Sequence, residues 1–219
     1  MLIAEARWLG SVLSSLPDGA FPLVDVGCQT AEYRLTEHPW IEEYVFAPLA
    51  ATGRRVIHVD LRDDDGVDVV ADVTSEEGAA TLRALGARTL LCSNIAEHVP
   101  DPTTFLNGVA AAVPKGGFLA LTGPRSFPYH ADPIDNLFRP SSADVSELIG
   151  EQLTVLETAD LSCDRLCYYG VRKRGNGLKA GLRYAARLAA PFRRPAEWRH
   201  DVCWALRRPR VYCLLLTRS

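Results

Sequence analysis

No stretch of this 219-residue chain approaches 18 consecutive apolar residues, so no membrane-spanning helix is expected. No basic segment precedes a continuous apolar run at the N-terminus. Glu5 and Arg7 interrupt it, and a signal peptide is not expected. The expected location is therefore the cytoplasm. The six cysteines lack a Cys-x2-Cys pair. Cys163, Cys167, His200 and Cys203 could be grouped as zinc ligands only by force, and buried free thiols in a reducing compartment are the simpler reading; no metal is expected. There is no internal repeat and no low-complexity tract. Charge of one sign is not in excess either. The 24 Lys+Arg stand against 27 Asp+Glu, for a net charge of -3, which excludes a uniformly basic nucleic-acid binder. Hydrophobic residues at 47% and charged residues at 23% are ordinary for a soluble globular chain, not for a disordered or collagen-like one.

The near-neutral total hides an asymmetry. Residues 1–164 carry 10 Lys+Arg and 25 Asp+Glu, a net of -15; residues 165–219 carry 14 and two, a net of +12. An acidic body is joined to a basic appendage.

Within the body, short apolar runs alternate with helical patterns. Leu2, Ala6, Leu9, Leu13 and Leu16 recur at helical spacing until Pro17-Asp18-Gly19 stops them. Strands are expected at 22–27, 55–61, 67–71, 88–93, 118–122, 153–158 and 211–217. Helices are expected at 38–52, 75–86, 102–113 and 141–150. Thr74 or Ser75 caps the second of these, Pro102 opens the third, and Ser141 or Ser142 caps the fourth. The alternation predicts an α/β fold with a mostly parallel sheet, whose ligands sit beyond the carboxyl ends of the strands.

Chemistry-bearing residues cluster at those ends. The first strand runs into Asp25-Val26-Gly27-Cys28-Gln29-Thr30-Ala31, the second into Asp60, and the third into Asp72-Val73-Thr74. The fourth runs into Asn94 and Glu97-His98-Val99-Pro100-Asp101-Pro102. A glycine after a buried strand admits a ligand close to the backbone, and an Asp after the second strand suits the two hydroxyls of a ribose. Asp63-Asp64-Asp65 reads as a solvated turn.

This ordered set resembles the class I S-adenosylmethionine-dependent methyltransferases over about residues 20–158. It is most similar to the methyltransferase type 11-like branch, through Tyr33-Arg34, Glu97 to Pro102, Lys115-Gly116-Gly117 and the loop Pro128-Tyr129-His130 to Phe138-Arg139. The resemblance implies a Rossmann-like, doubly wound, seven-stranded sheet, mostly parallel with an antiparallel last strand. The body would comprise 1–158 and 211–219, with a basic helical insertion at 159–210. S-adenosylmethionine is the implied cofactor. Asp25, Gly27 and Cys28 would shape its methionine side, Asp60 its ribose site, and Leu61, Asp72 and Val73 its adenine site. Asn94 would stand near the methionine end. A small molecule or a glycan is the implied acceptor, a sugar hydroxyl among the candidates. The family pattern has Gly where this chain has Gln29 and Ala31. Gln29 could turn away and hydrogen-bond a neighbouring loop, or it could fill the pocket. In the second case the chain would be a non-catalytic binding or scaffold subunit.

A hydroxyl acceptor must lose its proton, and a histidine suits that task near neutral pH. His130 is the expected catalytic base; His98, Tyr129 and Arg139 are expected at the substrate. The structural alternative is that Glu97-His98 caps a turn and that Asp135 and Arg139 only lock their loop. In the appendage, Lys179, Arg183 and Arg187 line one face of an expected helix at 177–190, and a second helix is expected at 195–207. Such a basic amphipathic segment, with Trp198 and Trp204 nearby, suits peripheral contact of 165–210 with an anionic membrane. It equally suits a phosphate-bearing substrate, an oligomer contact or a helical lid.

Overall fold

The structure is a computed structural model that describes residues 1–130, 134–165, 182, 204 and 207–219. Seven strands form one sheet: β1 Leu23–Val26, β2 Val56–Asp60, β3 Val69–Val70, β4 Thr89–Ser93, β5 Phe118–Ser126, β6 Thr154–Ser162 and β7 Arg210–Thr217. Their order is β3-β2-β1-β4-β5-β7-β6, and β7 runs antiparallel to both of its neighbours. The remaining pairings, among β1 to β5, are parallel. The expected sheet is thus present, with its antiparallel last strand. The order reverses between β1 and β4, which opens a crevice at the carboxyl edge there.

Side-chain alternation along the strands builds two cores. Val24, Leu90, Cys92, Leu119, Leu121, Tyr212 and Leu214 face one layer, with Leu106 and Val109 of α4 (Pro102–Ala112) and Val145 of α5 (Ser142–Ile149). Leu23, Leu91, Ala120, Val211, Cys213 and Leu215 face the other, with Leu9 and Leu13 of α1 (Ile3–Ser15). Helices on both faces of a parallel sheet follow from strands that are largely apolar on both faces.

The helix ends obey local chemistry. Ser75 caps α3 (Glu76–Ala84) by accepting from Gly78 N–H at 3.0 Å. Asp101 caps α4 ahead of Pro102, and Ser141 and Asp144 cap α5 reciprocally. The expected helix over 38–52 is broken up. Two wide turns of π type, Tyr33–Glu37 and Glu42–Phe46, precede a short α2 at Ala47–Ala51. Pro48 has no N–H to return to the Tyr44 carbonyl, and that carbonyl faces Gly10 of α1 so closely that a Cβ at residue 10 would overlap it.

Two strands outrun their expected lengths. β5 continues through Pro124, where its register against β7 shifts before Ser126, the kind of irregularity that tolerates a proline. β6 continues to Ser162, so the sheet extends past the boundary expected at 158. The expected helices at 177–190 and 195–207 lie outside the described residues except Leu182, Trp204 and Arg207. Cys28, Cys92, Cys163 and Cys213 are free and buried. Among the described residues, no helix is long and apolar enough to cross a membrane.

Leu106 is fully buried in α4, whereas Leu156 on β6 is 52% exposed. Leu106→Ala is expected to cost about 2–5 kcal/mol of unfolding free energy, and Leu156→Ala less than about 0.5 kcal/mol. Urea unfolding measured on both variants checks the contrast.

Candidate functional site

The carboxyl edge of the sheet is held by a buried carboxylate. Glu5 of α1 has no exposed surface. One of its oxygens takes the Leu2 N–H at 2.9 Å, capping its own helix. The other accepts from Thr122 Oγ1 at 2.6 Å, Asn94 Nδ2 at 2.7 Å and Ser93 Oγ at 3.3 Å. The end of β4 and the middle of β5 are thereby tied to α1. Asn94 adopts φ 55, and its carboxamide turns back to Glu5 while the residue lines the crevice.

The loop after β1 is built on Gly27 and Gln29, with φ of 68 and 59. The Gln29 N–H donates to Asp60 Oδ2 at 2.9 Å, and Arg62 N–H donates to Asp60 Oδ1 at 3.1 Å. The Gln29 side chain points to Arg62, whose guanidinium hydrogen-bonds its Oε1. It therefore turns toward the neighbouring loop after β2. Arg34 closes the arrangement from below. It is buried and donates to the carbonyls of Cys28 and Gln29, each at 3.2 Å, and of Gly66 at 2.9 Å. Burial pushes the Cys28 thiol up to about 12, so it is no nucleophile.

Two cavities meet at this loop and share Gly27, Gln29, Asn94 and His98 in their walls. The first, about 450 Å³, is bounded by Asp60, Leu61, Asp72, Val73 and Ile95. Within it, Asp72 Oδ1 accepts from Thr74 N–H at 2.9 Å and from its hydroxyl at 2.6 Å. The second, about 310 Å³, is bounded by Asp25, Cys28, Glu97, Phe127 and His130. Asp25 there pairs with His58 Nδ1 at 2.9 Å. The sequence-expected residues Asp25, Gly27, Cys28, Asp60, Leu61, Asp72, Val73, Asn94, His98 and His130 all lie on one or both cavities.

Tyr129 and Arg139 are placed otherwise. Tyr129 is 61% exposed and borders neither cavity. Arg139 donates to Asp135 Oδ2 at 2.6 Å, and the His130 N–H reaches the same oxygen at 3.0 Å. Burial alone would raise the Asp135 carboxyl. The hydrogen bonds from Arg139, His130 N–H and Leu137 N–H outweigh it and hold the group down at about 2. Arg139 is thus engaged with Asp135 within its own loop and borders neither cavity.

His130 Nδ1 faces the Pro128 carbonyl at 3.2 Å and Asp135 at 3.3 Å. Burial lowers its pKa, aided by the neighbouring His98 ring, whose centroid is 5.0 Å away. Glu97 is 1% exposed, and burial raises its carboxyl to about 8, with the charge of Glu5 acting in the same direction.

Sequence reasoning missed three participants. Glu5 was legible as an acidic residue at helical spacing between Leu2 and Leu9 on the apolar stripe. Glu97 carried only the motif as a signal. The targets of Arg34 are backbone carbonyls, and those leave no sequence trace.

No protein-family description and no curated protein matches the chain. Solved structures do. A SAM-dependent methyltransferase from Archaeoglobus fulgidus superposes with a TM-score of 0.52 at 14% identity, over 99% of this chain and 93% of that one. Coclaurine N-methyltransferase bound to N-methylheliamine and SAH gives 0.53 at 16%, over 99% and 70%. The cyclase SpnF gives 0.54 at 14%, over 97% and 81%. The chain thus has the Rossmann-like fold of these methyltransferases, a fold that also carries a cyclase.

Arg34→Ala is expected to lower unfolding free energy by about 2–3 kcal/mol, because three carbonyls, one buried and two part-buried, lose a charged donor. Urea unfolding is the measurement, and Arg34→Lys is expected to recover only part of the loss.

Proposed function

We propose that the chain is an S-adenosylmethionine-dependent methyltransferase acting on a small-molecule or glycan hydroxyl. The observation that carries this reading is the pair of adjoining cavities at the carboxyl edge. One has a buried carboxylate, Asp60, beside apolar walls. The other has a basic histidine, and a single glycine-based loop lies between them. The fold supports it as well, since the neighbours named above include methyltransferases.

The residues present fit such a cofactor. Asp60 is 7% exposed and stands at the wall of the larger cavity, where its carboxylate would accept ribose hydroxyls. Leu61, Val73 and Ile95 supply flat apolar contact for a base, and Asp72 stands at its edge. The Gln29 side chain is engaged with Arg62 at the loop after β2. Asp25, Gly27 and Cys28 border the side where an amino-acid tail would lie.

When bound, S-adenosylmethionine supplies a methyl group activated on a sulfonium, with a neutral thioether as leaving group. The protein's own work is then alignment, worth on the order of 7–11 kcal/mol in well-oriented cases. Receiving one proton from the acceptor is the other task. His130 is set up for it. A carbonyl can only accept, so His130 Nδ1 carries the hydrogen and Nε2 is left basic; its lowered pKa keeps the ring neutral at pH 7.

A second reading has one observation in its favour. Both oxygens of Asp60 already hold protein N–H donors, and the Gln29–Arg62 contact lies beside them. On that reading the chain is a non-catalytic binding or scaffold subunit. The basic residues of 165–210 would then serve a partner or an anionic membrane. On the first reading, the same stretch is a candidate for holding a charged acceptor.

Calorimetric titration with S-adenosylhomocysteine separates the two. Binding with a Kd below about 100 μM is expected, together with a raised melting temperature. Absence of binding would overturn the enzyme reading. Asp60→Ala is expected to abolish the shift. With an acceptor found by transfer of a labelled methyl group, His130→Ala is expected to slow transfer by roughly 10²-fold or more while leaving product affinity unchanged.

A further inference from the structure

The loop after β4 and the loop after β5 bring together three side chains, Glu97, His98 and His130, whose ligand atoms all lie within 4.8 Å of one another. Each histidine has its far nitrogen fixed. His98 Nδ1 is 2.6 Å from the Ile134 carbonyl oxygen, and His130 Nδ1 is 3.2 Å from that of Pro128. Both must donate there, so both Nε2 atoms keep a free lone pair. This outer hydrogen bonding is what metal-bound histidines commonly have, since it sets the tautomer and the ring direction.

The third member points the same way. Glu97 is buried at 1% exposure and borders the smaller cavity, yet its Oε2 has no hydrogen-bond partner. A buried carboxyl oxygen without a partner is costly. Its other oxygen lies 3.8 Å from His98 Nε2. A cation between the three would draw on one Glu97 oxygen and on both imidazoles.

We propose that Glu97, His98 and His130 form a binding site for a divalent transition cation of the zinc class, with its open coordination positions facing the smaller cavity. Two imidazoles and one carboxylate, without thiolate, are a known set for zinc sites that keep a position for an outside ligand. Ligand atoms around a tetrahedral zinc stand about 3.3 Å apart at the usual bond lengths. The three side chains therefore need to close by about 1.5 Å at most, and His130, at 36% side-chain exposure, is the least confined. On the methyl-transfer reading, an oxygen of the acceptor would complete the coordination. His130 would then be a ligand, and a hydroxyl bound to the ion would give its proton to solvent. Cation binding itself does not depend on that reading.

The test is made on the full chain, stripped with a chelator and free of cofactor. Titration with zinc chloride, followed by elemental analysis after dialysis, is expected to show one ion per chain bound at micromolar or tighter Kd and lost by at least about 10-fold in Glu97→Gln and in His130→Ala. His200→Ala is expected to bind as the parent does. Cobalt(II) substitution is expected to give visible bands of a nitrogen–oxygen site. No binding tighter than about 100 μM, a thiolate-to-cobalt band, or affinity unmoved by the Glu97 and His130 substitutions would each overturn the proposal. Circular dichroism confirms that each variant compared is folded. S-adenosylhomocysteine titration of the same samples reports on the methyltransferase reading separately.

Discussion

The carboxyl edge of the sheet depends on the buried carboxylate of Glu5. One negative side chain with no exposed surface collects four donors from three elements. A buried charge is tolerable only when it is satisfied in this way. The result is that α1, β4 and β5 cannot shift independently at the edge where the cavities lie. Asn94 leaves β4 with a left-handed φ and anchors its carboxamide on Glu5. That turn directs the following residues, Glu97 and His98, over the smaller cavity. The same charge makes ionisation of Glu97 harder. A helix that packs chiefly through apolar side chains thus influences the electrostatics of the neighbouring site.

A second device holds the other side. Arg34 ties the loop after β1 to the loop before β3 through backbone carbonyls, and Asp60 ties it to the loop after β2 through backbone N–H groups. The loop carries two residues at positive φ, a conformation that costs free energy for Gln29 and persists only where neighbours determine it. Charged side chains acting on main-chain groups are how this edge stays open without filling.

The sheet was legible because buried parallel strands read as largely apolar runs, and the helix starts because Ser75 and Ser141 satisfy exposed N–H groups and Pro102 lacks one. The strand ends drew attention to Asp25, Asp60, Asp72 and Asn94, all of which border the cavities. What sequence could not convey was direction. Nothing in the order of residues tells whether Arg139 faces a substrate or Asp135, or whether Gln29 fills a pocket or reaches Arg62. Those outcomes depend on loops that meet only in three dimensions. The wide turns at Tyr33–Glu37 and Glu42–Phe46 escaped for a related reason. Their apolar spacing is helical, while Pro39 and Pro48 withdraw the donors that an α-helix would need.

The contact of Gly10 with the Tyr44 carbonyl ties chemistry to a place that has none. Even a methyl group at residue 10 would sit 2.0 Å from that oxygen and push the helix outward. Glu5 lies little more than one turn away on the same helix and would travel with it, drawing on Ser93, Asn94 and Thr122. Misplacement of about 1 Å can cost an enzyme 10²-fold. Inherited change is therefore constrained not only among the acids and histidines but also at a silent, buried glycine of α1.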